Sequence, residues 1–218
     1  MSEGKGEEHD KLTNGTISVA ESSYKQIFKA TGIFGGVQVV TVLLGIIKTK
    51  LLAVWLGMAG IGINALFTST LGLINALVNV GIQSSAVKEV AESQATGDRN
   101  KIRTSVTVVR RLVTITGLAG ALSVFIFSAF LSELVFHNRD YTVAFKILSL
   151  SLFFDQLTTG QLAILQGLRK LSYLARANMI GSLLGVVIAV PLYYFCGIRG
   201  IVPAIVLSSF FLLVRSWY

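Results

Sequence analysis

The fold is decided by two apolar stretches near the start of the chain, GIFGGVQVVTVLLGIIKTKLLAVWL at residues 32–56 and IGINALFTSTLGLINALVNVGIQSSA at residues 61–86. Each exceeds the roughly 20 mostly apolar residues that a helix needs to cross a bilayer. Neither shows the alternation of apolar and polar residues that is typical of a β-strand. The two stretches therefore predict consecutive transmembrane helices, separated by a short glycine-bearing segment at residues 57–60.

The composition of the 218-residue chain points to the same class of protein. It is 53% hydrophobic and 14% charged, with a mean hydropathy of +0.70, whereas soluble domains contain about a quarter charged residues. Such a chain has too few polar side chains to cover a water-facing surface. The composition predicts an integral membrane protein and excludes a collagen-like chain and a disordered polyelectrolyte.

Four more apolar blocks follow, at residues 106–131, 143–166, 177–196 and 200–214. The sequence thus predicts an all-α membrane protein with six transmembrane helices over residues 27–218, the last of them barely long enough to cross. Residues 1–26 are polar and lack the basic start and apolar core of a secretory signal. We interpret them as a flexible cytoplasmic tail.

Orientation follows from the Lys and Arg residues, which are enriched in cytoplasmic loops. One side of the predicted bundle has three, namely Arg139, Lys146 and Arg199. The other side has fourteen, namely Lys5, Lys11, Lys25, Lys29, Lys88, Arg99, Lys101, Arg103, Arg110, Arg111, Arg169, Lys170, Arg176 and Arg215. This asymmetry predicts cytoplasmic termini. Because the basic residues fall between apolar blocks, the net charge of +8 does not indicate a nucleic-acid partner.

Three predicted spans carry polar faces, because their polar or glycine positions recur every three or four residues. In the second span these are Asn64, Thr68, Gly72, Asn75, Asn79 and Gln83. In the first span they are Gln38, Thr41, Gly45 and Lys48. The fourth span gathers Ser151, Asp155, Thr158 and Thr159. Such faces either line a cavity or pack helix against helix, and the sequence leaves both interpretations open.

Two lysines lie inside the first span. Lys48 shares the polar face, and Lys50 points about 160° away from it because the two are two positions apart on a helix. Lys50 lies seven residues before Gly57, about 10 Å at helical rise, so its side chain can extend to the headgroups. We expect at least one of these lysines to bind an anionic ligand.

Asp155 is the one carboxylate well inside a predicted span. A buried acid is paired or protonated, so it serves either in cation or proton coupling or in a salt bridge with one of the two lysines. Arg110 and Arg111 stand near the start of the third span. They either line the cytoplasmic mouth of a cavity or anchor the helix at the membrane surface.

The sequence indicates no catalytic machinery. Cys196 is the single cysteine, and no His, Cys and acid spacing suggests a metal site. A glycine loop for nucleotides, a Ser/His/Asp grouping and a pair of catalytic acids are also absent from the pattern. We therefore expect neither an enzyme nor a bound cofactor.

Several motifs resemble bacterial O-antigen and polysaccharide flippases, a branch of the multidrug/oligosaccharidyl-lipid/polysaccharide exporter superfamily. KLLAVWLGMAGIG at residues 50–62 is similar to that family's first-to-second-helix junction, and GIQSSAVKEVAE at residues 81–92 to the end of its second helix. Residues 140–141 and 166–169 resemble its third-to-fourth loop and the end of its fourth helix. The similarity is greatest to enterobacterial common antigen (lipid III) flippases and extends over residues 24–215.

The resemblance implies two six-helix lobes around a cavity with alternating access, in the bacterial inner membrane. This chain would supply the N-terminal lobe and need a second lobe or a homodimer partner. The family's basic cavity would hold the diphosphate of an undecaprenyl-linked oligosaccharide. Lys50 matches the family's lysine, while Lys48 and Arg111 are further candidates for the diphosphate. The sugar candidates are Gln38, Asn64, Asn75 and Asn79. A polysaccharide polymerase and a chain-length regulator are implied as further partners.

Three alternatives stand beside a flippase. A drug/cation antiporter of the same superfamily would prefer acidic groups, whereas this chain has two intramembrane lysines and one aspartate. A membrane-embedded polymerase or glycosyltransferase would need a long outer loop, and the predicted loop at residues 132–140 is short. The third alternative is a truncated, non-transporting remnant, because family members are about twice as long.

Overall fold

The computed structural model describes the backbone of residues 4–79 and 81–217, and the side chains of residues 32, 35–79, 81–170 and 172–216. Within these residues the chain is helical and contains no strand. The elements are α1 (Gly4–Val78), α2 (Ile82–Ala95), α3 (Arg99–Ile126), α4 (Ser128–Phe136), α5 (Thr142–Gly167), α6 (Leu171–Cys196), a 3-10 turn (Gly197–Gly200) and α7 (Ile201–Trp217).

Gly57 interrupts α1 and divides it into two helical parts. Its φ of 66° and ψ of −167° fall in a region of backbone conformation that is essentially restricted to glycine. The break coincides with the predicted separator at residues 57–60. Gly57 is therefore the joint between the first two predicted spans.

Two other predicted spans differ from the observed helices. The second was expected to run to residue 86, but α1 ends at Val78 and α2 begins at Ile82, whose amide donates to the carbonyl of Asn79 over 3.1 Å. Gly81, at a φ of 71°, allows this turn. The third predicted span is divided at Phe127 into α3 and α4.

Three stretches of the described chain are long and apolar enough to cross a membrane: Gly35–Val78, Arg99–Ile126 and Ser172–Ser216. The first and last contain 44 and 45 residues, which at 1.5 Å per residue is about twice the thickness of a bilayer core. The prediction of an all-α membrane protein is confirmed. The number of membrane crossings stays a prediction. The flexible tail at residues 1–26 also stays a prediction: α1 begins at Gly4, and the side chains of residues 1–26 lie outside the described residues.

Two apolar clusters hold the helices together. In one, the buried ring of Phe67 in α1 lies 5.1 Å from Phe136 of α4, and 5.8 and 5.4 Å from Tyr141 and Phe145 at the start of α5. Aromatic pairs at such distances pack favourably edge to face. The other cluster joins α2, α3 and α5 through Ala86, Val90, Val109, Val113, Ala163 and Ile164. α6 packs against α7 and the first part of α1, and α7 packs against α5.

We expect Gly160→Ala to destabilise the contact between α3 and α5. A β-carbon at Gly160 would lie 2.7 and 2.8 Å from the two γ-carbons of the buried Val113, and such overpacking costs about 1–3 kcal/mol. The measurement is thermal unfolding in detergent. Adding Val113→Ala should recover part of the loss, since the two sites are in contact.

Gly62→Ala is the matched control, because a β-carbon there meets nothing within 4 Å. Equal unfolding temperatures for Gly160→Ala and Gly62→Ala would contradict the described contact.

Candidate functional site

A cavity of about 450 Å³ lies between the first part of α1, α5, α6 and α7. Its polar lining consists of Gln38, Thr41, Lys48, Asp155, Asn178, Ser182, Ser208 and Ser209. The rest of the wall is apolar or glycine. We call this space the Lys48 cavity.

Helical spacing and small residues together produce the Lys48 cavity. On α1, Gln38, Thr41, Gly45 and Lys48 follow one another at steps of three, four and three, so they share a face. On α6, Asn178, Gly181, Ser182 and Gly185 do the same. A β-carbon at Gly45 would meet nothing within 4 Å. Gly45 thus borders open space, whereas a β-carbon at Gly181 would run into Leu212, so that glycine allows α6 and α7 to pack closely.

The Lys48 cavity contains one cationic and one anionic side chain. Lys48 and Asp155 are both partly buried, and the buried Ser209 lines the same cavity. Among the described side chains, no ion pair within 4.0 Å joins Asp155 to Lys48 or Lys50. The salt bridge that the sequence left open is therefore not formed in this structure. Both charged groups face the cavity.

Lys50 lies on a different face of α1. It is exposed and lines a separate groove of about 510 Å³ with Val42, Ile46 and Thr49. Gly45 borders both this groove and the Lys48 cavity. The expected divergence of the two lysines is thus present, and the structure separates Lys50 from the polar groups around Lys48.

The asparagine face of the second predicted span also lies apart from the Lys48 cavity. Asn64 and Asn75 do not line that cavity, and the Asn79 side-chain amide donates to the Asn75 side-chain carbonyl over 2.8 Å. Asn79 borders a groove of about 570 Å³ with Gln83, Lys88 and other residues of α2 and α5. The structure therefore contains two polar regions where the sequence suggested one.

The two arginines of α3 occupy a third location. Arg111 is exposed and lines neither the Lys48 cavity nor the groove of Asn79. Arg110 borders a small pocket of about 110 Å³ with Thr114 and Gln161.

Sequence reasoning missed the polar residues that α6 and α7 contribute to the Lys48 cavity. Asn178, Gly181, Ser182 and Gly185 recur at steps of three, one and three, which is the same kind of signal that identified the face of α1. Ser208 and Ser209 stand inside a short apolar block with no such repeat. The polar residues of α6 could therefore have been found from their helical spacing, whereas the two serines of α7 could not.

The family of this chain follows from its similarity to known proteins. The sequence profile of the family described as "Polysaccharide biosynthesis protein" matches residues 27–218, which is most of the chain. The chain belongs to the polysaccharide biosynthesis protein family. This agrees with the resemblance found in the motifs at residues 50–62 and 81–92.

Curated relatives in this family point to transport. Proteins named "Lipid III flippase" from Escherichia coli (strain K12) and from Shigella flexneri are each 28% identical to this chain over 170 residues. The match covers 74% of this chain and 40% of each relative, so the chain spans less than half of their length. A flippase is a transporter and not an enzyme. No solved structure matches the chain.

Proposed function

We propose that this chain is part of a flippase that moves an undecaprenyl-diphosphate-linked oligosaccharide across the bacterial inner membrane. Transport would run from the cytoplasmic to the periplasmic leaflet, for the assembly of O-antigen or a related surface polysaccharide. The observation that carries the proposal is a lysine in a polar cavity inside an apolar bundle. Family membership and the two relatives named as lipid III flippases support it.

Lys48 would bind the diphosphate. A lysine acts as a point charge for phosphate, and an anionic ligand offsets the cost of holding a charge within the membrane. Gln38, Asn178 and Ser182 line the same cavity and would donate hydrogen bonds to the diphosphate or the first sugar. Asn64, Asn75 and Asn79 lie outside it, so we propose that they contact more distant sugars.

Alternating access would require the Lys48 cavity to open to each side of the membrane in turn. In lipid, polar groups need partners, yet the side chain of Gln83, on the polar face that also carries Asn64 and Asn75, is exposed. We propose that a second lobe or a second copy of the chain covers this face.

The Lys- and Arg-rich segments would face the cytoplasm, and a polysaccharide polymerase with its chain-length regulator would receive the flipped product.

The direct test is complementation of bacteria that lack their lipid III flippase, using the complete reading frame that contains this chain. Restored surface polysaccharide is the expected result. Normal membrane levels of the protein without restored polysaccharide would contradict flipping and would favour a non-transporting remnant.

Asp155 is our candidate for ion coupling, because its carboxylate lines the same cavity as Lys48. We expect Asp155→Asn to abolish the dependence of transport on an ion gradient while leaving substrate binding in place. Flipping in proteoliposomes, with and without an imposed proton or sodium gradient, measures this. The matched control is Asp140→Asn, an exposed acid between α4 and α5, and equal gradient dependence of both variants would exclude Asp155 from coupling.

Asp155 also supports a second candidate, a drug/cation antiporter of the same superfamily. A carboxylate in a cavity attracts a cationic substrate, and Asp155 lines the Lys48 cavity. Efflux of a cationic dye that requires Asp155 but not Lys48 would favour the antiporter. Flipping that requires Lys48 would favour the flippase.

A further inference from the structure

One exposed face of α3 changes character along the helix. Its polar part is Arg103, Thr107, Arg110 and Thr114. Its apolar part is Leu118, Leu122 and Phe125. These residues recur at steps of three and four, so they lie on one side of the helix, and all seven are exposed. We call this row the α3 stripe: it is basic at one end and apolar at the other.

A small pocket opens beside the polar part of the α3 stripe. Arg110 and Thr114 line it from α3, and Gly160 and Gln161 line it from α5, giving a volume of about 110 Å³. The Arg110 Nη2 atom lies 3.5 Å from the Oε1 atom of Gln161, a side chain that is 8% exposed. A guanidinium, a hydroxyl and a buried amide therefore converge where two helices meet.

The helix that carries Arg110 is strongly basic. α3 contains five basic residues and no acidic one. Four of them have no ion-pair partner within 4.0 Å among the described side chains, namely Arg99, Lys101, Arg103 and Arg111. Arg110 lies seven residues beyond Arg103, about 10 Å further along the helix. Arg110 is the charged residue that lines the pocket, and it lies on this basic helix.

We propose that the pocket and the α3 stripe bind an anionic glycerophospholipid from the leaflet on the Lys- and Arg-rich side. Its phosphate contacts Arg110, Thr114 and Gln161, and an acyl chain lies along Leu118 and Leu122. Basic pockets between transmembrane helices on the cytoplasmic side are known to bind phosphate headgroups. An arginine guanidinium can pair with a phosphate through two parallel hydrogen bonds, so Arg110 is suited to hold the lipid headgroup. None of these residues lines the Lys48 cavity.

The test measures lipid binding by the purified protein in neutral detergent. Thermal unfolding is followed while phosphatidylglycerol, phosphatidylcholine or a polyprenyl diphosphate is titrated in, because a ligand of the native state raises the unfolding temperature. We expect stabilisation by phosphatidylglycerol and not by phosphatidylcholine. Arg110→Gln and Thr114→Val should each weaken phosphatidylglycerol binding, the former by about tenfold or more, as for a lost charge-assisted contact.

Arg103→Gln is the matched control, since it removes the same charge from the same stripe outside the pocket. The affinity of Arg103→Gln for phosphatidylglycerol should stay within a few-fold of that of the unsubstituted protein. Equal losses for Arg103→Gln and Arg110→Gln would overturn the site in favour of diffuse surface charge. Stabilisation through Arg110 by polyprenyl diphosphate alone would overturn the phospholipid assignment. If Arg110→Gln fails to fold, Thr114→Val decides, and unchanged binding in that variant would overturn the proposal.

Discussion

Lys48→Ala is expected to slow the translocation of lipid-linked oligosaccharide by about 10- to 100-fold. Hydrogen bonds to a charged group contribute about 1.5–3 kcal/mol, and each 1.36 kcal/mol corresponds to a factor of ten in rate. Lys48 is the cationic side chain lining the polar cavity, so its loss removes the contact proposed for the diphosphate. Flipping in proteoliposomes at matched protein levels is the measurement.

Two variants make the Lys48 experiment specific. Lys48→Arg keeps the charge and should retain more activity than Lys48→Ala. Lys50→Ala removes a charge two positions away, on the groove that faces away from the cavity, and should have the smaller effect. The resemblance to the flippase motif instead favours Lys50. A larger loss in Lys50→Ala than in Lys48→Ala would therefore place the diphosphate site at the Lys50 groove.

Gly57→Ala is expected to lower the free energy of unfolding by about 1–3 kcal/mol, the usual cost of a sparsely populated backbone conformation. A β-carbon at Gly57 would meet nothing within 4 Å, so the cost arises from the φ of +66° and not from a clash. Thermal unfolding in detergent measures it. Transport should fall too, because the first part of α1, which carries Lys48, is oriented by this joint.

Gly62→Ala is the control for backbone strain as well. It lies on the same helix with an equally open environment but without a positive φ, and alanine favours a helix over glycine. It should leave the protein unchanged or slightly more stable. If Gly57→Ala and Gly62→Ala unfold at the same temperature, the break in α1 at Gly57 is not present in the native protein.

The main features of the fold were predictable from the sequence because a bilayer restricts the kinds of backbone structure that can cross it. Apolar blocks of span length are compatible with helices, and the glycine-bearing segment at residues 57–60 marked the joint in α1. The turn between Val78 and Ile82 was not predicted, since residues 61–86 are apolar enough to read as one helix. In the structure, the positive φ of Gly81 and the hydrogen bond from the Ile82 amide to the Asn79 carbonyl mark that turn. The division at Phe127 had no distinctive residue signal either.

The site was predictable only in part. Periodicity placed Gln38 and Lys48 on one face, and that face lines the cavity. A helical pattern shows which residues share a face, but it does not show which neighbouring helix that face meets. The sequence therefore did not show that Asp155 lines the same cavity as Lys48, or that Asn64 and Asn75 lie outside that cavity. The roles of all these residues stay predictions.

Protection of a cysteine inside the Lys48 cavity would show whether the lipid-linked substrate binds there. Ser182 lines that cavity and Thr49 lines the groove on the other face of α1, so Ser182→Cys and Thr49→Cys can be compared after Cys196, the exposed native cysteine, is replaced by serine. Undecaprenyl diphosphate is expected to slow maleimide labelling of Ser182→Cys several-fold and to leave labelling of Thr49→Cys unchanged. Adding Lys48→Ala is expected to abolish the protection of Ser182→Cys. Equal labelling of Ser182→Cys with and without the lipid would contradict a substrate site in this cavity.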